Sequence, residues 1–291
     1  MERRAVIQDL LSRHILFVTG KGGVGKTAVS LGIARAFAKK KLKTLWITFE
    51  DPLLIPGGVR EIAPGLIHLN ACAAVAFEEY VTMKIGASAI SRVFVKNKLV
   101  QYLAQAAPGI HELVLLGKVW HERHLYDRVV ADLPATGHGL AMFQSTQNFS
   151  VLFQGGPVHR DAVSMMQTFG DPAQCGHLLV ALPEEMPLRE ALELENLLHE
   201  IFPDNAVDFL VNRVFPKTAQ ADPTDTDPPS RWTSPLAFTA HEYIEKRAIL
   251  EDFNLRLWRE RGLKFAELSY MPPGSDISEK LSCELIEKGY V

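Results

Sequence analysis

Short apolar runs alternate along the chain with longer amphipathic stretches, the rhythm that builds βα units around a mostly parallel sheet. His14–Thr19 (HILFVT) reads as a strand buried on both faces, and it runs into the glycine-rich segment Gly20–Gly25. Thr27–Lys40 repeats apolar side chains near 3.6 spacing at Val29, Ile33, Ala36 and Phe37. It closes on lysines, which suit the negative end of a helix dipole. Lys43–Phe49 (KTLWITF) predicts a second strand and Leu66–Asn70 a third, with a loop at Pro56, Gly57 and Gly58 between them. Tyr126–Asp132, Gly176–Leu182, Ala206–Val211 and Lys264–Tyr270 predict further strands, with helices over Leu188–Ile201 and His241–Arg261. A last helix is expected to start near Asp276, which stands at capping-box spacing from Glu279.

From Phe77 to His124 the pattern is helical and unusually long, broken near Pro108 and Gly109. Its apolar side chains, Tyr80, Ile85, Phe94, Leu103 and Leu116 among them, fall on more than one face. Lys217–Arg231, rich in Asp, Pro and Thr, reads as a loop. The economical reading is one α/β domain over residues 1–291, a mostly parallel sheet flanked by helices, with a helical insertion at about 77–125.

Composition narrows the class. Lys and Arg number 31 against 34 Asp and Glu, a net charge of −3, which argues against non-specific nucleic-acid binding while leaving room for local basic patches. Cys72, Cys175 and Cys283 form neither a CxxC pair nor a disulfide framework, which points to a reducing, cytoplasmic compartment. No segment reaches the ~18 continuous apolar residues of a membrane span, so an integral membrane protein is not expected.

The chemistry lies in Gly20-Lys21-Gly22-Gly23-Val24-Gly25-Lys26-Thr27, which satisfies GxxxxGK[ST] between a predicted strand and a predicted helix. Glycines let successive backbone N–H groups converge on a phosphate, and the helix N-terminus adds a favourable dipole. Lys26 is expected to pair with β/γ-phosphate oxygens, and the Thr27 hydroxyl to ligate Mg²⁺. The cofactors implied are ATP and Mg²⁺, with Gly20, Gly22, Gly23, Val24, Gly25, Lys26, Thr27 and Ala28 as the phosphate cradle.

The extra lysine, Lys21, makes the segment KGGVGKT, which resembles the deviant Walker A motif of a dimerising P-loop ATPase class. That class includes MinD, the nitrogenase iron protein and ArsA. The resemblance implies that Lys21 crosses a dimer interface to the partner's nucleotide, a cation in trans like an arginine finger. Asp132-Leu133-Pro134-Ala135-Thr136-Gly137-His138 is similar to the switch II of the ArsA and tail-anchored-protein-targeting ATPases. Asp132 would then hold a Mg²⁺-bound water, and Gly137 would sense the γ-phosphate through its backbone. Val211-Asn212-Arg213 resembles the element whose Asn reads the adenine edge, and Pro272 stands where the family's adenine-packing loop lies.

Departures carry as much information. The family's switch I reads DPAHS, whereas this chain has Glu50-Asp51-Pro52-Leu53-Leu54. Asp51 is the candidate for water activation, a turn-initiating Asp is the alternative, and Glu50 is a rival for the role. Paired zinc-bridging cysteines and clustered thiols for arsenite are both absent, which speaks against an arsenite-stimulated pump. His121 and His124 stand three residues apart, not at the HExxH spacing of a zinc protease.

The chain looks most like bacterial ArsA-related ATPases, with one ATPase unit per chain. The second subunit would come from a homodimer or from a paralogue. The expected function is an Mg-ATP-hydrolysing dimeric switch that binds and releases a partner, with a hydrophobic or membrane-protein client as one class. The alternative is a non-hydrolysing regulatory subunit of a heterodimer.

Overall fold

The computed structural model describes residues 11–85, 109–135, 137–152, 154–216, 235–272 and 276–291. Among these, eight strands form one sheet: β1 (Ile15–Gly20), β2 (Thr44–Phe49), β3 (Val59–Ala63), β4 (Leu66–Ala71), β5 (Arg128–Asp132), β6 (Cys175–Ala181), β7 (Ala206–Val214) and β8 (Phe265–Ser269). Their order is β3-β4-β2-β5-β1-β6-β7-β8, and every neighbouring pair is parallel except β3 with β4. The α/β class with a mostly parallel sheet is the one the pattern predicts.

Both faces of the sheet are covered, which is why its central strands read as unbroken apolar runs. One face carries α1 (Lys26–Lys39) and α8 (Ile277–Glu287), packed through Val29, Ile33, Leu281 and Leu285 against Leu16, Val18 and Val130. The other carries α2 (Ala73–Ile85), α3 (Ile110–Glu122), α4 (Gly137–Leu152), α5 (Gly156–Phe169), α6 (Glu185–Ile201) and α7 (Pro235–Glu260). Ile15 and Phe17 of β1 point to that second face. Leu113, Leu115, Leu116 and Val119 of α3 lie in the same core as Phe17 and Val129. The expected insertion is described only at its ends, since residues 86–108 lie outside the described residues, as does the Lys217–Arg231 loop.

Two departures from the pattern have physical reasons. Strand β3 was not anticipated because its residues are mostly exposed; what makes it is the Pro64-Gly65 turn, with Gly65 at φ 75°, which folds Val59–Ala63 back on β4. The sequence pattern does not predict helix α4, because its outer face carries Ser, Gln and Asn rather than charges, which blurs the apolar stripe of Leu140, Phe143 and Phe149. The predicted cap of α8 forms in part. Asp276 accepts the Glu279 N–H at 3.2 Å, but the Glu279 carboxylate turns to Arg35 and Lys39 on α1 instead of back to the cap.

His177 of β6 sits at the centre of the larger core. It is fully buried and stacks between Phe17 and Phe202 at 5.4 and 5.2 Å, with the Phe143 ring edge-on. Neither ring nitrogen has a hydrogen-bond partner, so burial holds the imidazole neutral and pushes its pKa down to about 3. Unfolded His177 takes up a proton below about pH 6.5, while the folded residue resists until near pH 3. Stability is therefore lost as pH falls through that window, by about 2 kcal/mol at pH 5. A His177→Phe variant should unfold with a visibly flatter acid dependence between pH 6.5 and 4 in urea titrations. An unchanged slope would show that the imidazole is not held neutral.

Candidate nucleotide site

The C-terminal ends of the parallel strands form one edge, and the chain leaves β1 there in the Gly20–Gly25 loop that opens α1. Strand order reverses around β1, with β5 on one side and β6 on the other, which is where open α/β sheets leave a crevice for a ligand. Two glycines are dictated by contact. A Cβ on Gly20 would lie 2.3 Å from the Val180 carbonyl oxygen of β6. One on Gly25, at φ 91°, would lie 2.5 Å from the Asn212 side-chain nitrogen. Asn212, buried at the end of β7, donates from Nδ2 to the Val24 carbonyl at 2.9 Å. It reaches past β6 to hold the loop that follows β1.

Gly25 cannot cap α1 with a side chain, and the first turn has no acidic residue. The helix therefore opens with free N–H groups and an uncompensated dipole, the physical requirement of an anion site. Lys26 is buried and donates from Nζ to the Lys21 carbonyl at 2.9 Å. Burial lowers its pKa, opposed by the nearby Asp132 carboxylate. Thr27 and Ala28 follow at the mouth, the first exposed and the second half-buried.

Asp132 ends β5 beside the loop and is 9% exposed. Burial pushes its pKa up to about 6, against the opposing pull of the Thr27 and Ser30 hydroxyls and the Lys26 ammonium. Its Oδ1 has no hydrogen-bond partner. A buried carboxylate oxygen without a partner, next to a threonine hydroxyl, fits the donor set of a hydrated Mg²⁺.

The remaining predicted residues divide. Lys21 is half exposed and ion-paired with Glu190 of α6. Asp51 lies at the end of β2, where its Oδ1 accepts the Leu53 N–H at 2.9 Å, an Asx turn, while Asn70 holds its backbone N–H and carbonyl. Glu50, at φ 51°, turns the other way: its carboxylate accepts the Ala73 N–H at the start of α2 and pairs with His111 of α3. Gly137 opens α4, exposed; Thr136 lies outside the described residues. Pro272 is exposed beyond β8, three strands from β1. Sequence reasoning missed Ser30, signalled only by its helical spacing from Thr27. It also missed Glu190, which stands 169 positions from Lys21 and carries no local signal. Among the described residues no group of three His, Cys, Asp or Glu side chains could hold a metal, and no helix is long and apolar enough to cross a membrane.

A family model described as the CobQ/CobB/MinD/ParA nucleotide binding domain matches residues 15–219. The chain is 29% identical over 231 residues to the Mycobacterium tuberculosis protein named ATPase BagA, covering 72% of this chain and 66% of that one. It is 25% identical over 255 residues to an ATPase ASNA1 homolog of Plasmodium berghei, covering 72% and 65%. A Halobacterium salinarum protein named as a candidate arsenical pump-driving ATPase is 26% identical over 219 residues, covering 64% and 34%. The chain thus spans just under two thirds of the length of the first of these relatives.

The Asp132 carboxylate gives a testable sign. With a folded pKa near 6 against 3.8 unfolded, the cost of ionising it grows as pH rises from about 4 to 6 and is complete above that, about 2–3 kcal/mol. Asp132→Asn should therefore raise the nucleotide-free stability at pH 7.5 relative to pH 4.5, and it should abolish any Mg²⁺-dependent gain in melting temperature with ATP. Equal destabilisation at both pH values would contradict the buried-charge account.

Proposed function

We propose that this chain, which belongs to the CobQ/CobB/MinD/ParA nucleotide-binding family, is a magnesium-dependent ATPase that acts as a dimeric switch. The observation that carries the reading is the convergence on one sheet edge of an uncapped helix N-terminus, the buried Lys26 and the partnerless Oδ1 of Asp132. The names of its relatives, all called ATPases, support the same reading.

In this reading the N–H groups of Gly20, Gly22, Gly23, Val24, Gly25 and the first turn of α1, through Thr27 and Ala28, cradle the phosphates. Lys26 exchanges the Lys21 carbonyl for phosphate oxygens. Thr27 and Asp132 hold the magnesium, which offsets charge on the β- and γ-phosphates. Asp51 takes the proton of the attacking water, and its loop must rearrange from the Asx turn to do so. Asn212 acts first on the phosphate loop; its amide is committed to Val24, so adenine recognition falls to its remaining valence and to the Pro272 region.

Lys21 serves the partner subunit's nucleotide. Its pair with Glu190 is surface-exposed and worth on the order of 0–1 kcal/mol, so releasing it costs little when subunits close. Gly137 and the loop before it report the γ-phosphate to α4, and hydrolysis reopens the dimer to release a partner. A hydrophobic or membrane-protein client is the class implied, in a cytoplasmic setting that the free thiols of Cys72, Cys175 and Cys283 support.

A second reading has its own observation. Both carboxylates after β2 are engaged as folded, Asp51 by the Leu53 N–H and Glu50 by His111 and Ala73, which favours a subunit that binds ATP without splitting it. Single-turnover hydrolysis separates the two. Asp51→Asn should slow the chemical step about 100-fold or more with ATP affinity retained, while Glu50→Gln stays within about tenfold. A chain that binds ATP but turns over only when mixed with a paralogous ATPase would support the regulatory subunit instead.

A further inference from the structure

Asn70 closes β4 and is 2% exposed. Its side chain makes four hydrogen bonds, the full capacity of a primary amide. Nδ2 donates to the Asp51 carbonyl at 3.1 Å and to the Ile55 carbonyl at 3.3 Å; Oδ1 accepts the Asp51 N–H at 3.0 Å and the Thr48 hydroxyl at 3.4 Å. Its backbone adds two more bonds, with the Gly57 N–H donating to the Asn70 carbonyl and the Asn70 N–H donating to the Gly58 carbonyl. The loop from Asp51 to Gly58 is thus fastened at both ends to one residue.

Asn70 is itself braced. Thr48 Oγ1 lies 2.9 Å from His68 Nε2. The His68 ring, buried and held neutral by that burial, packs on Trp46 with centroids 4.5 Å apart. Trp46 Nε1 donates to Ser30 Oγ at 3.0 Å, and Ser30 Oγ in turn donates to the Thr27 carbonyl at 3.1 Å. Trp46, Thr48, His68 and Asn70 are all buried on the α1 face of β2 and β4. A continuous buried chain therefore connects the first turn of α1, where Thr27 and Ser30 flank Asp132, to the loop that carries Asp51. Leaving buried polar groups of this kind unpartnered costs free energy, and a partnered network fixes one geometry.

We propose that Asn70 is the positioning residue for Asp51, and that the Ser30–Trp46–His68–Thr48 chain sets its place relative to the phosphate loop. This rests on the ATPase reading above. Asn70 touches no reacting atom; it fixes where the Asp51 backbone enters the loop, so its loss should act on the chemical step and spare nucleotide binding.

The test uses the full chain with Asn70→Leu, of similar volume but unable to bond, and Thr48→Val, which removes one brace and keeps the strand's β-branched shape. Single-turnover hydrolysis, ATP affinity by titration and amide exchange over residues 51–58 are measured in parallel. Asn70→Leu is expected to lower the single-turnover rate about tenfold or more, with ATP affinity within about twofold, and to speed exchange in 51–58 while β1 and α1 stay protected. Thr48→Val should do the same more weakly, by about two- to fivefold. A rate within about twofold of the unmodified chain in Asn70→Leu would overturn the proposal, as would parallel loss of binding and rate, the mark of a general fold defect. If the unmodified chain binds ATP and does not split it, the ATPase reading fails and the catalytic consequence with it. Unchanged exchange in 51–58 would then overturn the positioning role on its own.

Discussion

A chain can wrap a phosphate only where its own side chains stay out of the way, and that steric condition organises this molecule. Gly20 must pass the Val180 carbonyl with no room for a Cβ, and Gly25 must turn through a left-handed conformation beneath Asn212. Both contacts come from strands on the β6–β7 side of β1. The loop is shaped by the sheet that flanks it as well as by its own sequence. Because Asn212 holds Val24, the end of β7 and the start of α1 are one mechanical unit.

The charges follow from the same arrangement. Packing α1 against β1 and β5 buries Lys26 and Asp132 together at the strand ends. Neither charge is fully compensated: Lys26 bonds only a loop carbonyl, and Asp132 keeps an oxygen without a partner. Incomplete pairing of buried ionic groups is unfavourable for a bare fold and is a common mark of a site built around a charged ligand. Around this pair, the neutral residues of the α1 face (Ser30, Trp46, His68, Thr48, Asn70) are linked by hydrogen bonds and ring packing by contrast. Buried nitrogens of His177 and of several arginines, and Asn205 Oδ1, also lack partners, but among the described residues Asp132 carries the buried carboxylate oxygen left without one, at the place where magnesium is proposed to sit.

Much of this was legible in the chain. The parallel strands are unbroken apolar runs because both faces are covered, and the glycine loop announces itself by composition and by its place between strand and helix. Asp132 became a candidate because Asp132–His138 resembles a known switch segment at the end of a strand. What the sequence concealed depends on contacts between distant segments. Glu190 reaches Lys21 from α6, Asn70 reaches Asp51 from β4, and His111 reaches Glu50 from α3. None has a spacing rule to reveal it. Strand β3 was hidden because an exposed edge strand has no apolar stripe, and Asn212 was read as an adenine contact because nothing local reveals that its amide faces Val24. The Asp-Pro after β2 was legible as a turn and as a catalytic candidate alike, and the structure has it in the turn.

The central claim is that the Gly20–Thr27 loop, with Lys26 and Asp132, binds Mg-ATP. Calorimetric titration of ATP into the full chain, with and without Mg²⁺ and in parallel with Lys26→Ala, tests it most directly. The account predicts a single site strengthened by Mg²⁺ in the unmodified chain, with affinity lost and Mg²⁺ dependence abolished in Lys26→Ala. Equal ATP affinity in the two proteins, indifferent to Mg²⁺, would contradict it.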